Sequence, residues 1–308
     1  MKRDFLTLAD LTRAELEEIL NLAAKLKRDL KSGQQQALLA GKSLAMIFEK
    51  PSLRTRVTFE VGMAQLGGYA VYMTPKDIQL GERESVADIA RNLERWVDLI
   101  MARTFSHQTL TDLASHAAVP VINGLSDILH PCQVLTDCFT ILERRGRLDG
   151  LRIAFVGDGN NVANSWMNAA AKFNFEFVLA CPPKYEPHEA IFGAARAAGA
   201  KVSVTHDAAA AAQDADVVYA DVWTSMGQEN EAAQRRRDFA SYQINGKLLQ
   251  RARRDAIVMH CLPAHRGEEI TDEVIDGPQS IVFDQAENRL HTQKAIMVWL
   301  SRALIADG

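Results

Sequence analysis

Four short runs carry side chains suited to holding an anion or an amine. "SLRT" at 52–55 sets the hydroxyls of Ser52 and Thr55 around the guanidinium of Arg54, where an apolar run ends and a helical pattern begins. A helix start offers unpaired backbone N–H groups and the positive end of the helix dipole, so it attracts phosphate. Arg54 can grip two oxygens at once. Charge-assisted hydrogen bonds contribute roughly 1.5–3 kcal/mol each, so a handful could hold a small phosphorylated ligand without a nucleotide handle. Arg56 reads instead as a solvated arginine. The other runs are "HPCQ" (130–133), "DVWTSMG" (221–227) and "HCLP" (260–263), which bring an imidazole and an amide, a carboxylate and a hydroxyl, and a thiol.

The surrounding pattern predicts where these runs sit. Strands are expected at 43–48, 69–73, 97–103 and 119–123, with helices near 11–31, 84–96 and 107–117 and another after "SLRT" that stops at Gly67-Gly68. "PCQVLTDCFTILERRG" (131–146) reads as a long helix. A second series of strands follows at 151–158, 175–182, 201–206, 216–223, 256–263 and "SIVFDQ" (280–285), with an alanine-rich helix at 207–216 and a last helix near 287–305. Alternating strand and helix implies an α/β fold of two domains, each a mostly parallel sheet with helices on both faces, joined by the long helix. The expected domains are 1–133 and 134–286, with the helix at 287–308 packing back on the first. Ligands of open α/β sheets bind beyond the carboxyl ends of the strands. In the first domain those ends deliver Ser52, Arg54, Thr55, Arg103, His130 and Gln133, a cationic and hydroxylic set. In the second they deliver Asp158 to Asn161, Asp221 to Met226 and His260 to Pro263, a set of carboxylates, amides, a thiol and apolar groups.

The chain's 308 residues suffice for about two domains. With 47% hydrophobic and 24% charged residues it has the mix of a globular protein. A formal net charge of −4 argues against a nucleic-acid surface and makes any anion site local. The start "MKRDFLTLAD" does not read as a signal peptide, and no run approaches the ~18 apolar residues of a membrane span. Cys132, Cys138, Cys181 and Cys261 include no CxxC pair. That composition points to a reducing, cytoplasmic setting and away from structural zinc.

Taken together, Ser52-x-Arg54-Thr55, "HPCQ", "DVWTSMG" and "HCLP" resemble, in order and spacing, the aspartate/ornithine carbamoyltransferase family, and within it the ornithine branch. The resemblance extends to "ENRLHTQKA" (287–295). The family usually has a hydroxyl residue where this chain has Leu53, which leaves only a backbone N–H there. The resemblance implies transfer of a carbamoyl group from carbamoyl phosphate to the δ-amine of L-ornithine, giving L-citrulline and phosphate, a step of arginine biosynthesis or urea-cycle type. It implies no cofactor and no metal, and a homotrimer or a multiple of trimers. The first domain would bind carbamoyl phosphate and the second ornithine.

By the same resemblance, Ser52, Leu53, Arg54 and Thr55 hold the phosphate, Arg103 bridges phosphate and carbonyl, and His130 and Gln133 orient the carbamoyl group. Gln79 occupies the place of a loop residue that reaches a neighbouring subunit. Cys261, Leu262 and Arg289 approach the carbamoyl group. Asp221 pairs with the α-ammonium of ornithine, and Asn161, Ser225 and Met226 position its head group. "HCLPA" replaces the "HPLPR" of the aspartate branch, and lacking that arginine suits a basic amino acid. The attacking amine must be neutral. A lysine-like pKa of ~10.4 makes that about one molecule in a thousand near neutral pH, a cost of about 4 kcal/mol, which desolvation lowers.

Other readings fare worse. "VGDGNNVANS" (156–165) hints at a nicotinamide dinucleotide, but Val162 stands where a small residue is wanted and Asp158 would repel a pyrophosphate. A zinc hydrolase using His260, Cys261 and His265 lacks any accompanying HExxH or CxxC. A non-catalytic member of the fold is countered by the competent residue at every needed position. Within the family, putrescine or an N-acylated ornithine is the alternative amine; an acylated α-nitrogen carries no charge to pair with Asp221.

Overall fold

In the unit formed by Met1–Phe139 and Glu287–Gly308, apolar runs become β1 (Ser43–Phe48), β2 (Tyr69–Met73), β3 (Leu99–Arg103) and β4 (Val121–Leu125). They pair in parallel in the order β2-β1-β3-β4. The inner strands β1 and β3 are buried at every residue, as parallel strands covered on both faces must be. Edge strand β2 instead exposes Tyr69 and Val71. The helices are α1 (Arg13–Lys31), α2 (Leu53–Gln65), α3 (Pro75–Ile78), α4 (Val86–Leu93), α5 (His107–His116) and α6 (Pro131–Arg145). Thr12 and Glu15 form a capping box that starts α1. Along α2, Phe59 and Met63 point into the core while Leu53, Val57 and Val61 stay exposed. Gly67, at φ +82°, then turns the chain where a Cβ would meet Ala37 at 2.8 Å. The structure is a computed structural model and describes residues 2–78, 80 and 83–305. Gln79 lies outside the described residues.

In the unit Thr140–Ala286, β5 (Arg152–Val156), β6 (Glu176–Ala180), β7 (Lys201–Thr205), β8 (Val217–Ala220) and β9 (Ile257–His260) form a second parallel sheet. Its order is β7-β6-β5-β8-β9. The helices are α7 (Asn161–Ala170), α8 (Glu189–Ala197), α9 (Ala208–Ala212), α10 (Ala232–Asp238), α11 (Gly246–Leu249), α12 (Asp272–Ile275) and the start of α13 (Val282–Ile305). Trp166 stacks on Phe177 with centroids 6.1 Å apart, and Phe155 stacks on Tyr219 at 5.3 Å. These rings fill the space between α7 and the sheet. Among the described residues no helix is long and apolar enough to cross a membrane.

Strand order explains why the two sets of functional candidates gather. In each sheet the direction of strand addition reverses once, between β1 and β3 in the first and between β5 and β8 in the second. Loops leaving neighbouring strands at such a reversal diverge to opposite faces and open a crevice at their carboxyl ends. Those ends are followed by "SLRT" and Arg103 in one unit and by Asp158–Asn161 and Asp221 in the other.

The run at 280–285 is not a strand. Ser280 makes one isolated bridge to Val258, and α13 begins at Val282, five residues before the expected start. Ile281, Val282 and Gln285 are buried while Phe283 is 69% exposed. That is helical spacing rather than alternation. Gln285 also accepts from the His260 backbone N–H at 2.9 Å and donates to the Tyr219 hydroxyl at 3.2 Å, so this turn of α13 is pinned beside β8 and β9. The alanine-rich run likewise yields only a five-residue helix, capped by Asp207 and ended before Asp214 at φ +56°.

Candidate active site

The cationic rim is built on the ends of β1, β3 and β4. Ser52 is the N-cap of α2, its Oγ accepting from the Thr55 N–H at 3.2 Å. That role uses a lone pair and leaves the hydroxyl proton available to a ligand. The first helical bond of α2 runs from Arg56 N–H to the Ser52 carbonyl, so the Leu53 and Arg54 N–H groups lie ahead of it at the positive end of the helix. Leu53 is 74% exposed at this start. Strand register sets Arg103 beside Phe48, the last residue of β1. The pairing of β3 with β4 slips there, past Gly124, where a Cβ would lie 2.5 Å from Met101 Sδ.

His130 is the residue before α6, its carbonyl accepting from the N–H of Gln133 and Val134, and Pro131 opens the helix. Burial, followed by the charges of Arg289, Arg103 and Arg54, holds the His130 pKa well below the ordinary histidine range. The imidazole is therefore neutral near pH 7, and the positive charges of three arginines from different elements favour that state. Arg289, buried on α13, donates from Nη1 to Gln133 Oε1 at 2.5 Å and from Nη2 to Thr55 Oγ1 at 3.1 Å. Gln133 in turn donates to Asp137 at 2.8 Å. One guanidinium thus fixes the relative positions of α2, α6 and α13.

Lys50 is a further cation that sequence reasoning passed over. It is buried, its ammonium 4.5 Å from the centre of the Phe105 ring. Burial first and then Arg103 push its pKa down, with Asp127 and Glu49 opposing. Its place two residues ahead of Ser52 was the available signal. Mutual repulsion among these cations is relieved when an anion joins them. Arg56, expected to be simply solvated, is half-exposed but pairs with Glu60 and lies 3.7 Å over the Tyr72 ring. The Cys132 thiol, raised to about 12 by burial, donates to the Asn123 carbonyl and is no nucleophile.

The acidic rim of the second unit centres on Asp221, at the end of β8. Its Oδ2 accepts from Asn160 Nδ2 at 2.7 Å, and its Oδ1 from the Val222 N–H at 2.8 Å and the Cys261 thiol at 2.9 Å. Asn160 also caps α7, accepting from Val162 and Ala163. The sequence places Asn160 in the strand-end set Asp158 to Asn161, but only Asn161, the first residue of α7, is given a role there; the N-cap position of Asn160 was the signal for its own. Ser225 and Met226 follow Asp221 along a loop that folds on itself. The Ser225 N–H donates to Gln228, and that of Gly227, at φ +96°, donates to both Glu229 oxygens at 3.0 Å.

Cys261 and Leu262 belong to this second unit. Leu262 sits at φ +58°, a left-handed conformation costly for a branched residue. Its N–H donates to His260 Nδ1 at 2.9 Å, while His260 Nε2 pairs with buried Glu269 at 3.1 Å. Both ring nitrogens are thereby committed. Ligand atoms of Asp221, His260 and Cys261 lie within 4.8 Å of one another, but an imidazole with no spare lone pair does not fit a metal there.

The fold and these rims define a two-unit α/β protein with one cationic, hydroxyl-bearing rim and one carboxylate–thiol rim, each at a strand-order reversal. Residues 3–143 match the profile described as the carbamoyl-P binding domain of aspartate/ornithine carbamoyltransferase, and residues 149–300 match its Asp/Orn binding domain. The chain belongs to the aspartate/ornithine carbamoyltransferase family. It is 56% identical over 308 residues to the ornithine carbamoyltransferase of Methanoculleus marisnigri, covering 100% of this chain and 98% of that one. It is 55% identical over 310 residues to that of Thermococcus kodakarensis, covering 99% and 97%. The structure of ornithine carbamoyltransferase from Pyrococcus furiosus superposes with a TM-score of 0.93 at 52% identity, covering 96% of each chain.

Proposed function

We propose that this protein transfers the carbamoyl group of carbamoyl phosphate to the δ-amine of L-ornithine, giving L-citrulline and phosphate. The observation that carries the reading is the cationic rim itself: Ser52 caps α2 with Arg54 in its first turn, Arg103 ends β3 beside the end of β1, and Arg289 joins Thr55 to Gln133. Three fixed cations suit a phosphate, and a neutral ring N–H suits the carbonyl oxygen beside it. Ser52, Thr55, Arg54 and the Leu53 N–H hold the phosphate. Arg103 spans phosphate and carbonyl. His130, with Arg289 and Gln133, donates to the carbonyl oxygen as it gains negative charge, and preorganised donors of this kind are usually the largest catalytic term.

In the second unit Asp221 receives the α-ammonium of ornithine, Asn161, Ser225 and the Met226 backbone position its head group, and Cys261 and Leu262 complete the carbamoyl end. The neutral δ-nitrogen attacks the carbamoyl carbon, the N–C bond forms, the C–O bond to phosphate breaks, and the proton shed by nitrogen leaves with the phosphate. No covalent enzyme intermediate is needed. Cys261, hydrogen-bonded to Asp221, steers the amine rather than attacking. The protein works as a homotrimer. Leu53, Val57 and Val61 on α2, with Tyr69 and Val71 on edge strand β2, leave an exposed apolar face on the first unit suited to a second copy.

The test is citrulline formation by purified protein in chelator, without nucleotide, with ornithine, N-acetylornithine, putrescine and aspartate compared side by side. Turnover with ornithine alone is expected. Preference for another amine, or loss of activity in chelator, would overturn the reading. Light scattering of the purified protein checks the trimer.

A further inference from the structure

Asp158 and Arg235 form an ion pair that the proposed chemistry leaves unused. Asp158 follows β5 and Arg235 lies on α10, and they are 7% and 6% exposed. Arg235 Nη1 donates to Asp158 Oδ2 at 2.8 Å and to the Trp223 carbonyl at 2.9 Å, and its Nε donates to Glu231 at 3.0 Å. Its guanidinium carbon stands 4.9 Å from the centre of the Tyr185 ring, whose hydroxyl donates to Asp238. Replacing so buried a pair by apolar side chains is often neutral or stabilising. What the pair supplies here is geometry.

Three segments meet at this one guanidinium. The first is the turn after β5, which also bears Asn160, the amide that holds Asp221. Close behind it, Gly159 donates to the Tyr185 carbonyl, and a Cβ there would lie 2.5 Å from the Glu186 backbone. The second is the Trp223 carbonyl, midway between Asp221 and Ser225. The third is α10, which follows that loop.

We propose that Asp158 and Arg235 are positioning residues that hold the 221–227 loop in the register that receives the amino-acid substrate. The inference rests on reading that loop as the ornithine rim. A single Nη1 atom shared by a carboxylate and the Trp223 carbonyl sets the distance of the loop from the β5 turn, so Ser225 and Met226 inherit their positions from it. Burial also raises the Asp158 pKa to about 6, Arg235 opposing and Asp221 and Glu231 adding to the rise. The charged and titratable groups facing Asp158 are Arg235 and Glu231, Asp221 beyond β8, and Cys181 beyond β6. Below that pH the carboxyl is neutral and its hold on Arg235 weakens.

The experiment compares wild type, Asp158→Asn and Arg235→Lys near pH 8, varying each substrate in turn. Asp158→Asn should raise the ornithine KM about tenfold, the weight of one charge-assisted hydrogen bond, and leave the carbamoyl phosphate KM within about twofold. Arg235→Lys keeps the charge without the two-way donor geometry, so a rise of about threefold is expected. Lowering the pH from about 7 to 5.5 should raise the ornithine KM of wild type more than that of Asp158→Asn. An unchanged ornithine KM in both variants, or a parallel rise for both substrates, overturns the proposal. Amide hydrogen exchange across 222–228, read without any substrate, should quicken in Asp158→Asn; unaltered exchange also overturns it. If Asp158→Asn fails to fold, Arg235→Lys decides by the same two readouts. Wild type that makes no citrulline would overturn the substrate reading, and hydrogen exchange would still judge the positioning role.

Discussion

Replacing Asp221 by asparagine removes one negative charge and almost nothing else from the acidic rim. A carboxylate has roughly four acceptor positions. Three partners, Asn160, Val222 and Cys261, already occupy Asp221, which leaves room for about one donor from a substrate ammonium. One charge-assisted hydrogen bond is worth about 1.5–3 kcal/mol, and a factor of ten corresponds to about 1.4 kcal/mol. Asp221→Asn should therefore raise the ornithine KM about 10- to 150-fold. An asparagine also turns an NH2 group either toward the Asn160 amide or toward the Val222 N–H, a donor facing a donor, so a stability loss of about 1–3 kcal/mol should accompany it. The phosphate grip lies in the other unit, and Cys261 links Asp221 to the carbamoyl end through a single thiol hydrogen bond, so the KM for carbamoyl phosphate should move less than about twofold. The assay is initial-rate citrulline formation with one substrate saturating and the other varied, and denaturant unfolding of both proteins. An unchanged ornithine KM, or equal loss for both substrates, would refute the division of labour between the rims.

Arg289→Lys should raise the carbamoyl phosphate KM about tenfold or more, because an ammonium cannot reach Gln133 and Thr55 at once; the same initial-rate assay checks it. His291, buried on α13, has its pKa lowered to about 4 by burial and then by Lys294 and Lys27. Its folded pKa lies below its unfolded one, so stability is lost as the pH falls from about 6.5 toward 4. His291→Gln should lose less melting temperature across that window than wild type does. Gly159→Ala places a methyl 2.5 Å from the Glu186 and Pro187 backbone, which cannot yield as a flexible side chain would. Chemical denaturation should show a loss of about 1–3 kcal/mol.

Much of the fold was legible because local rules and tertiary packing agree. "SLAMIF" and "LIMAR" are apolar at nearly every position, the mark of strands buried on both faces, and both are fully buried here. "SIVFDQ" misled because a short apolar run fits a strand or a buried helix equally well. What separated them was the docking of Gln285 on His260 and Tyr219, contacts that no local window contains.

The candidate site divides the same way. The placing of Ser52, Arg54 and Thr55 at a helix start, of His130 before Pro131 and of Asp221 after a strand depends on neighbours in the chain, and the sequence alone determined it. It also set the chemical character of each rim, through the residue types that follow successive strands. Tertiary structure alone decided which distant groups meet. Arg289 reaches Thr55 across 234 residues and Gln133 across 156, Arg235 reaches Asp158 across 77, and His130 is kept neutral by burial and by arginines from three different elements. Hydrogen bonding and desolvation act over a few ångströms in space, and separation along the chain does not encode that distance.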